Sequence, residues 1–293
     1  MTTVAAPRTR VLRFPNMAAW LGVAPFFLFA MMFLIVPTVS LLVGAFQDHD
    51  GAFTFDNILR LWQPSILHSY LLSIEVSVAS AFFGGLIGLA LALAVLRGGL
   101  PEWLRPTLMT FSGVASNFAG VPLAFAFMAT LGRIGFVTVV LKSVGVDLYA
   151  AGFNLFTFTG LTLTYLYFQI PLMVLVVTPA IDGIKGEWSE AAEILGANRI
   201  QYWRTVVLPI LWPSILGASL LLFANAFGAI ATAYALTGSF LNIVPILLYA
   251  QIRGDVLHDP NLGYALAFGM LMITGLSNLA YLYLRARSDR WLR

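Results

Sequence analysis

The sequence predicts an all-α integral membrane protein with six transmembrane helices, and three observations carry that prediction. Of its 293 residues, 60% are hydrophobic and 10% charged, against roughly half and a quarter in soluble domains. Six apolar blocks each reach the ~20 residues that a helix needs to cross a hydrocarbon core about 30 Å thick. The basic residues fall between these blocks and are concentrated in alternate intervals.

The first block, 18–46, is far longer than the roughly 7–15-residue apolar core of a cleaved leader, so it is expected to remain as a span behind a short tail, 1–17. The second, 67–96, contains Gly84, Gly85 and Gly88 followed by Ala90 and Ala92, small residues that let another helix approach closely. The third and fourth, 106–131 and 154–181, carry Pro122 and Pro171, and the first carries Pro37. These prolines predict kinks, because neighbouring groups can satisfy the backbone atoms that they free. The fifth and sixth blocks are 207–236 and 262–284. Two further apolar stretches, 135–146 and 241–252, are read as re-entrant or interfacial helices able to face an external partner. With no linker, low-complexity tract or visible repeat, residues 1–293 form a single transmembrane domain.

Charge sets the orientation. Six spans put both termini on one side, together with Arg8, Arg10, Arg13, Arg97, Arg105, Lys185, Arg199, Arg204, Arg285, Arg287, Arg290 and Arg293. The opposite side holds Arg60, Arg133, Lys142 and Arg253. The positive-inside rule therefore predicts cytoplasmic termini and a cytoplasmic loop at 182–206. The net charge of +3 is spread among apolar blocks without forming a basic face, which excludes a nucleic-acid partner. There is no cysteine, so thiol chemistry is excluded. His49, His68 and His258 are far apart in sequence, and neither a metal nor another cofactor is expected.

The most informative segment is that loop. Trp188, Ala191, Ala192 and Leu195 recur at helical spacing, with Glu187, Glu190 and Glu193 on a polar side. Gly196 supplies the left-handed conformation that ends many helices, and Asn198 with Gln201 three positions on forms a cap for a second short helix. That helix carries Ile200, Trp203 and Val206 on one face, and Pro209 stands near the start of the fifth span, where its missing N–H costs little. A solvated or interfacial loop with no partner has the same local physics.

The order Glu190-Ala191-Ala192, three residues, Gly196, nine residues, Val206, one residue, Leu208-Pro209 resembles the signature of the permease subunits of binding-protein-dependent ABC importers. Val206 stands where that family often has isoleucine. The resemblance implies that the loop is a coupling helix, with Glu190, Ala191, Ala192 and Gly196 docking on a cytoplasmic ATPase dimer and with Leu208 and Pro209 tying it to the moving span. It also implies a second permease chain, similar or identical, an external solute-binding protein, and a place in the inner membrane. The segments around Glu75 and Tyr234 look most like the spermidine/putrescine branch, which makes polyamine the substrate expectation.

The chain itself is not expected to hydrolyse ATP. A phosphate-cradling loop needs lysine directly after glycine, whereas Lys142 follows Leu141 and Lys185 follows Ile184. Polar groups inside spans are costly, so each marks a candidate contact for solute: Glu75, Asn117, Gln169 and Asn225. Interhelical hydrogen bonding is the competing role for each. The rival readings are an ion-coupled secondary transporter, for which Glu75 alone is thin support, and a scaffold subunit that transports nothing.

Overall fold

The computed structural model describes residues 17–238, 240–253 and 258–289. The tail carrying Arg8, Arg10 and Arg13 lies outside them, as do Arg290 and Arg293. Among the described residues, six segments are long and apolar enough to cross a bilayer: Trp20–Gly44, Pro64–Arg97, Val121–Ser143, Phe158–Asp182, Arg199–Phe227 and Pro260–Leu284. The only strand-like feature among them is a single bridge between Gln47 and Phe53.

The first span is α1 (Met17–Ala30) and α2 (Val36–Gly44), joined by a π-helical turn over Met31–Ile35. The Val36 N–H reaches back five residues to the Met31 carbonyl. Proline has no N–H to offer the ladder, and the turn widens directly ahead of Pro37, so that site shows a π bulge of the kind that bends helices. Most of this span is exposed; only Gly44, pressed on the Tyr264 ring, and Ala45 are buried. After the short α3 (Asp56–Arg60) comes α4 (Pro64–Arg97), 34 residues long.

The α4 glycines are contact points, two of them at very short range. A Cβ on Gly84 would lie 2.5 Å from Gln169 Cβ, and one on Gly88 would lie 2.6 Å from the Ile170 carbonyl oxygen. Both neighbours belong to α8 (Phe158–Asp182), the most enclosed of the six segments. Backbones approach closely where side chains are absent, and dispersion over that seam replaces the hydrophobic drive that is missing between helices in lipid. One turn apart on the same helix, Ser69, Ser73, Ser77 and Ser80 are buried, each donating to a carbonyl of the preceding turn. Ser73 Oγ also accepts the Val244 N–H at 2.8 Å, fixing the first turn of α13 (Val244–Arg253) against α4.

Two expected spans are broken. In place of one helix over 106–131 there are α5 (Leu104–Ala115) and α6 (Val121–Leu131), separated at 116–120. Gly120 has φ +76° and ψ −150°, a region essentially reserved for glycine. Pro122 then falls in the first turn of α6, where it starts a helix instead of kinking one. The Phe136–Ser143 stretch forms α7 and continues the same span-length segment as α6. The fifth block likewise divides into α11 (Leu208–Phe227) and α12 (Ile230–Thr237) at Gly228 and Ala229. The last helix, α14 (Pro260–Asp289), packs on α11, α13 and α2.

Candidate functional site

Between the fourth and fifth membrane-length segments stands α9 (Gly186–Ile194), and α10 (Arg199–Tyr202) opens the fifth. Gly196 has φ +76°, and two hydrogen bonds close the end of α9: the Ala197 N–H to the Ala192 carbonyl and the Gly196 N–H to the Glu193 carbonyl, both 2.9 Å. That crossed pair is a Schellman motif. Two residues on, the Asn198 side chain accepts the Gln201 N–H at 2.9 Å while the Gln201 side chain accepts the Asn198 N–H at 2.8 Å, a complete capping box. The bend between the helices is thus set by four local hydrogen bonds.

The loop is anchored to the bundle by aromatic residues and by an arginine. Trp188, Tyr202 and Trp203 pack on a core of Met173, Val177, Ile181, Val207 and Leu211. Arg97, at the end of α4, donates through Nη2 to the carbonyls of Ile181 and Ile184 at 2.8 and 2.7 Å, capping the end of α8 where its last carbonyls have no helical partner. Arg105 pairs with Asp182 at 2.7 Å. These contacts join residues 77 to 87 positions apart, which is why local sequence signals did not reveal them.

The apolar stripe read from periodicity divides between two sides of the helix. Trp188 and Ala192 turn toward the bundle, but Ala191 is exposed with Glu190, and Ile194 and Leu195 are each 86% exposed. Ile200 is exposed as well, while Val206 is half-buried and Val207 buried. The helix therefore presents an outward patch of mixed small, acidic and aliphatic residues. Behind it, Leu208 and Pro209 open α11 after a π turn over Trp203–Val207, in which the Leu208 N–H reaches back to the Trp203 carbonyl. From Arg199 onward, α10, that turn and α11 form one continuous helical path.

The four intramembrane polar residues separate into two groups. Gln169 is fully buried in the seam of α4, α8 and α11, where its Nε2 donates to the Leu222 carbonyl at 2.9 Å and its Oε1 has no partner. It ties α8 to α11 through that hydrogen bond. Glu75 is exposed on α4, on one helical face with Leu71, Val78 and Phe82, and it makes no hydrogen bond or ion pair among the described residues. Asn117 lies in the 116–120 break, exposed, its Nδ2 donating to the Gly113 carbonyl at 2.9 Å. Asn225 is exposed three residues before the second break.

Sequence reasoning missed that the two breaks meet. The Gly120 N–H donates to Thr232 Oγ1 at 2.6 Å, and the Tyr165 hydroxyl donates to the Ala229 carbonyl at 2.8 Å. Interrupted helices at membrane depth require such substitutes for the lost ladder. The Asn117–Gly120–Pro122 pattern carried the turn signal for the first break; Gly228 alone was a weaker one.

Comparison with known proteins gives the family. Residues 84–293 match the binding-protein-dependent transport system inner membrane component. The molybdenum transport system permease protein of Mycobacterium tuberculosis is 27% identical over 226 residues, covering 74% of this chain and 80% of its own length. The spermidine/putrescine transport system permease protein of Haemophilus influenzae is 25% identical, covering 90% and 92%, and the sulfate transport system permease protein CysT of Salmonella typhimurium is 26% identical, covering 77% and 78%. Relatives named for molybdenum, sulfate and polyamine are thus about equally similar, and the polyamine expectation gains no specific support. Among solved structures, a chain of a bacterial ABC transporter for import of the acidic polysaccharide alginate aligns with a TM-score of 0.67 at 18% identity, over 94% of this chain and 96% of that one, which shows a shared fold. With the family match extending over residues 84–293 and the fold in agreement, the chain belongs to the binding-protein-dependent inner membrane components and is a multi-pass permease of an ABC importer.

Proposed function

We propose that this chain forms one half of a solute pathway that is opened by a separate cytoplasmic ATPase dimer docking on the outward patch of α9. The observation that carries the reading is the combination of that patch, Glu190, Ala191, Ile194 and Leu195, with the rigid mount behind it. A patch held by a Schellman turn, a capping box and an arginine clamp can transmit a push as rigid-body motion to α11. Ala191 leaves room for close seating, and Gly196 keeps the turn free of a side chain.

A second permease chain, similar or identical, completes the pathway. Glu75 supports this, because an unpaired carboxylate facing lipid costs several kcal/mol, about 2.5–3.5 on translocon scales, whereas one facing a partner chain and a wet vestibule does not. The bare first span gives the bundle a further surface to offer that partner. Both termini and α9 lie in the cytoplasm, and an external binding protein delivers a small solute from the other side. Glu75 favours a cationic or hydrogen-bonding solute over an oxyanion, with polyamine the leading candidate, and Asn117 and Asn225 add polar contacts beside the paired breaks.

The test is uptake into liposomes containing this chain, its partner permease and ATPase, with binding protein outside. Accumulation that needs enclosed ATP, and favours spermidine over molybdate and sulfate, is expected. Uptake driven by a proton gradient without ATP would instead establish ion-coupled secondary transport.

A further inference from the structure

Beside α9 and α10 two hollows share residues, a more enclosed one and an open apolar one. One, of about 410 Å³, is bordered by Arg97, Lys185, Ser189, Arg199 and Tyr202, with Glu193 as its one acid. The other, of about 420 Å³, is formed by Arg199, Ile200, Trp203, Arg204 and Leu208. Arg199 and Trp203 are common to both and form the wall between them. The side chains of Lys185, Arg199 and Arg204 make no ion pair and no hydrogen bond among the described residues; the ion pairs there are Arg60–Asp259, Arg105–Asp182 and Lys142–Asp147. Arg97 spends two donors on neutral carbonyls, so its charge is not balanced by a carboxylate.

We propose that these clefts hold one anionic phospholipid, its phosphate among Lys185, Arg199 and Arg97 and an acyl chain along Ile200, Trp203 and Leu208. Charge complementarity selects the headgroup: three cations against one acid in a cleft that lies where α8 ends and α11 begins, the position at which basic pockets between spans collect anionic lipid. The apolar groove beyond the shared wall selects an amphiphile over a free phosphate, since arginine and tryptophan at such a boundary keep their polar ends toward the headgroups. The inference rests on the reading that this end of the bundle lies at the cytoplasmic membrane surface. A lipid there would wedge the inner side of α9 and α10 and so help to set the angle at which the outward patch is presented.

The full chain alone, without ATPase, is purified and exposed to mixed micelles containing equal dioleoyl-phosphatidylglycerol and dioleoyl-phosphatidylcholine, and retained lipid is counted by native mass spectrometry. Phosphatidylglycerol is expected to be retained preferentially, and a Lys185→Gln, Arg199→Gln double variant is expected to weaken retention about 25-fold, taking roughly fivefold for each charge. Neither side chain makes a hydrogen bond or an ion pair among the described residues, so the variant should fold, and its melting temperature is the control. Millimolar inorganic phosphate is expected to leave the adduct in place. Equal retention of the two lipids, an unchanged double variant, or displacement by phosphate alone would each overturn the proposal. Because no ATPase is present, such a failure leaves the docking of α9 untouched, and failure of docking leaves this result standing.

Discussion

Alanine at Gly88 and alanine at Gly85 should have opposite effects, although the two sites are three residues apart on α4. A Cβ at Gly88 would sit 2.6 Å from the Ile170 carbonyl oxygen and 2.7 Å from Met173 Cβ. Comfortable C···O and C···C separations are about 3.3–3.6 and 3.5–4.0 Å, so the contacts are short by roughly 0.7–1.3 Å. The Ile170 oxygen is helix backbone and cannot swing aside, so α4 and α8 must separate along the seam that also holds Gln169. Overpacking of this kind costs about 1–3 kcal/mol, a fall in melting temperature of roughly 2–12 °C. At Gly85 the nearest atoms are Ser219 Oγ at 3.8 Å and Leu222 Cδ2 at 3.9 Å, ordinary contact distances, and alanine is favoured over glycine within a helix by up to about 1 kcal/mol. Thermal melts of both purified variants in one detergent measure the difference. A Gly88→Ala variant as stable as wild type, or a Gly85→Ala variant equally damaged, would refute the reading of α4 as closely seated on α8 through specific glycines.

Other outcomes follow from single residues. Gly196→Ala places a side chain at φ +76° with nothing within 4 Å of its Cβ, so about 1–2 kcal/mol of backbone strain falls on the Schellman turn alone; ATP-driven uptake should drop while the overall melting temperature barely moves. Thr232→Val removes the hydroxyl that accepts the Gly120 N–H, leaving a donor unsatisfied at a cost of about 1–3 kcal/mol, and amide exchange at the 116–120 break should speed up while α8 stays protected. For Asp259, partial burial works against the charged form, but the Leu262 N–H and the Arg60 guanidinium at 2.7 Å outweigh it and hold the carboxyl below its ordinary value. A lowered folded value contributes stability above the ordinary carboxylate range that is lost as pH falls through the lowered one. Melts of wild type against Asp259→Asn should therefore converge on acidification and separate at neutral pH.

What could be read from the sequence was whatever neighbouring residues decide among themselves. Gly196, Asn198 and Gln201 specify their turn and cap within the single stretch 192–201, and the structure forms both motifs. Gly84 and Gly88 announced a close helix contact, although only the fold shows that α8 is the partner. Periodicity on α9 identified which residues share a stripe but not which part of it the bundle covers: Trp188 and Ala192 are half-buried, whereas Ala191 and Leu195 are exposed. The Arg97 clamp and the meeting of the two breaks depend on residues 64 to 112 positions apart; no local pattern encodes such pairs. Hydropathy also smooths over a short interruption, and for that reason 106–131 reads as one span while the backbone turns at Gly120.

The central claim, that the outward face of α9 is the docking element for an ATPase, has a direct test because the chain has no cysteine of its own. A single Ala191→Cys variant, carrying a photoactivatable maleimide and expressed at native level in its own membrane, places one crosslinker on that face. The account predicts one dominant adduct, a nucleotide-binding ATPase, with yield that changes on adding ATP, while the same probe at Ala150 on the opposite side captures none. Equal labelling of lipid and unrelated proteins from Ala191, with no ATPase adduct at any nucleotide state, would contradict it.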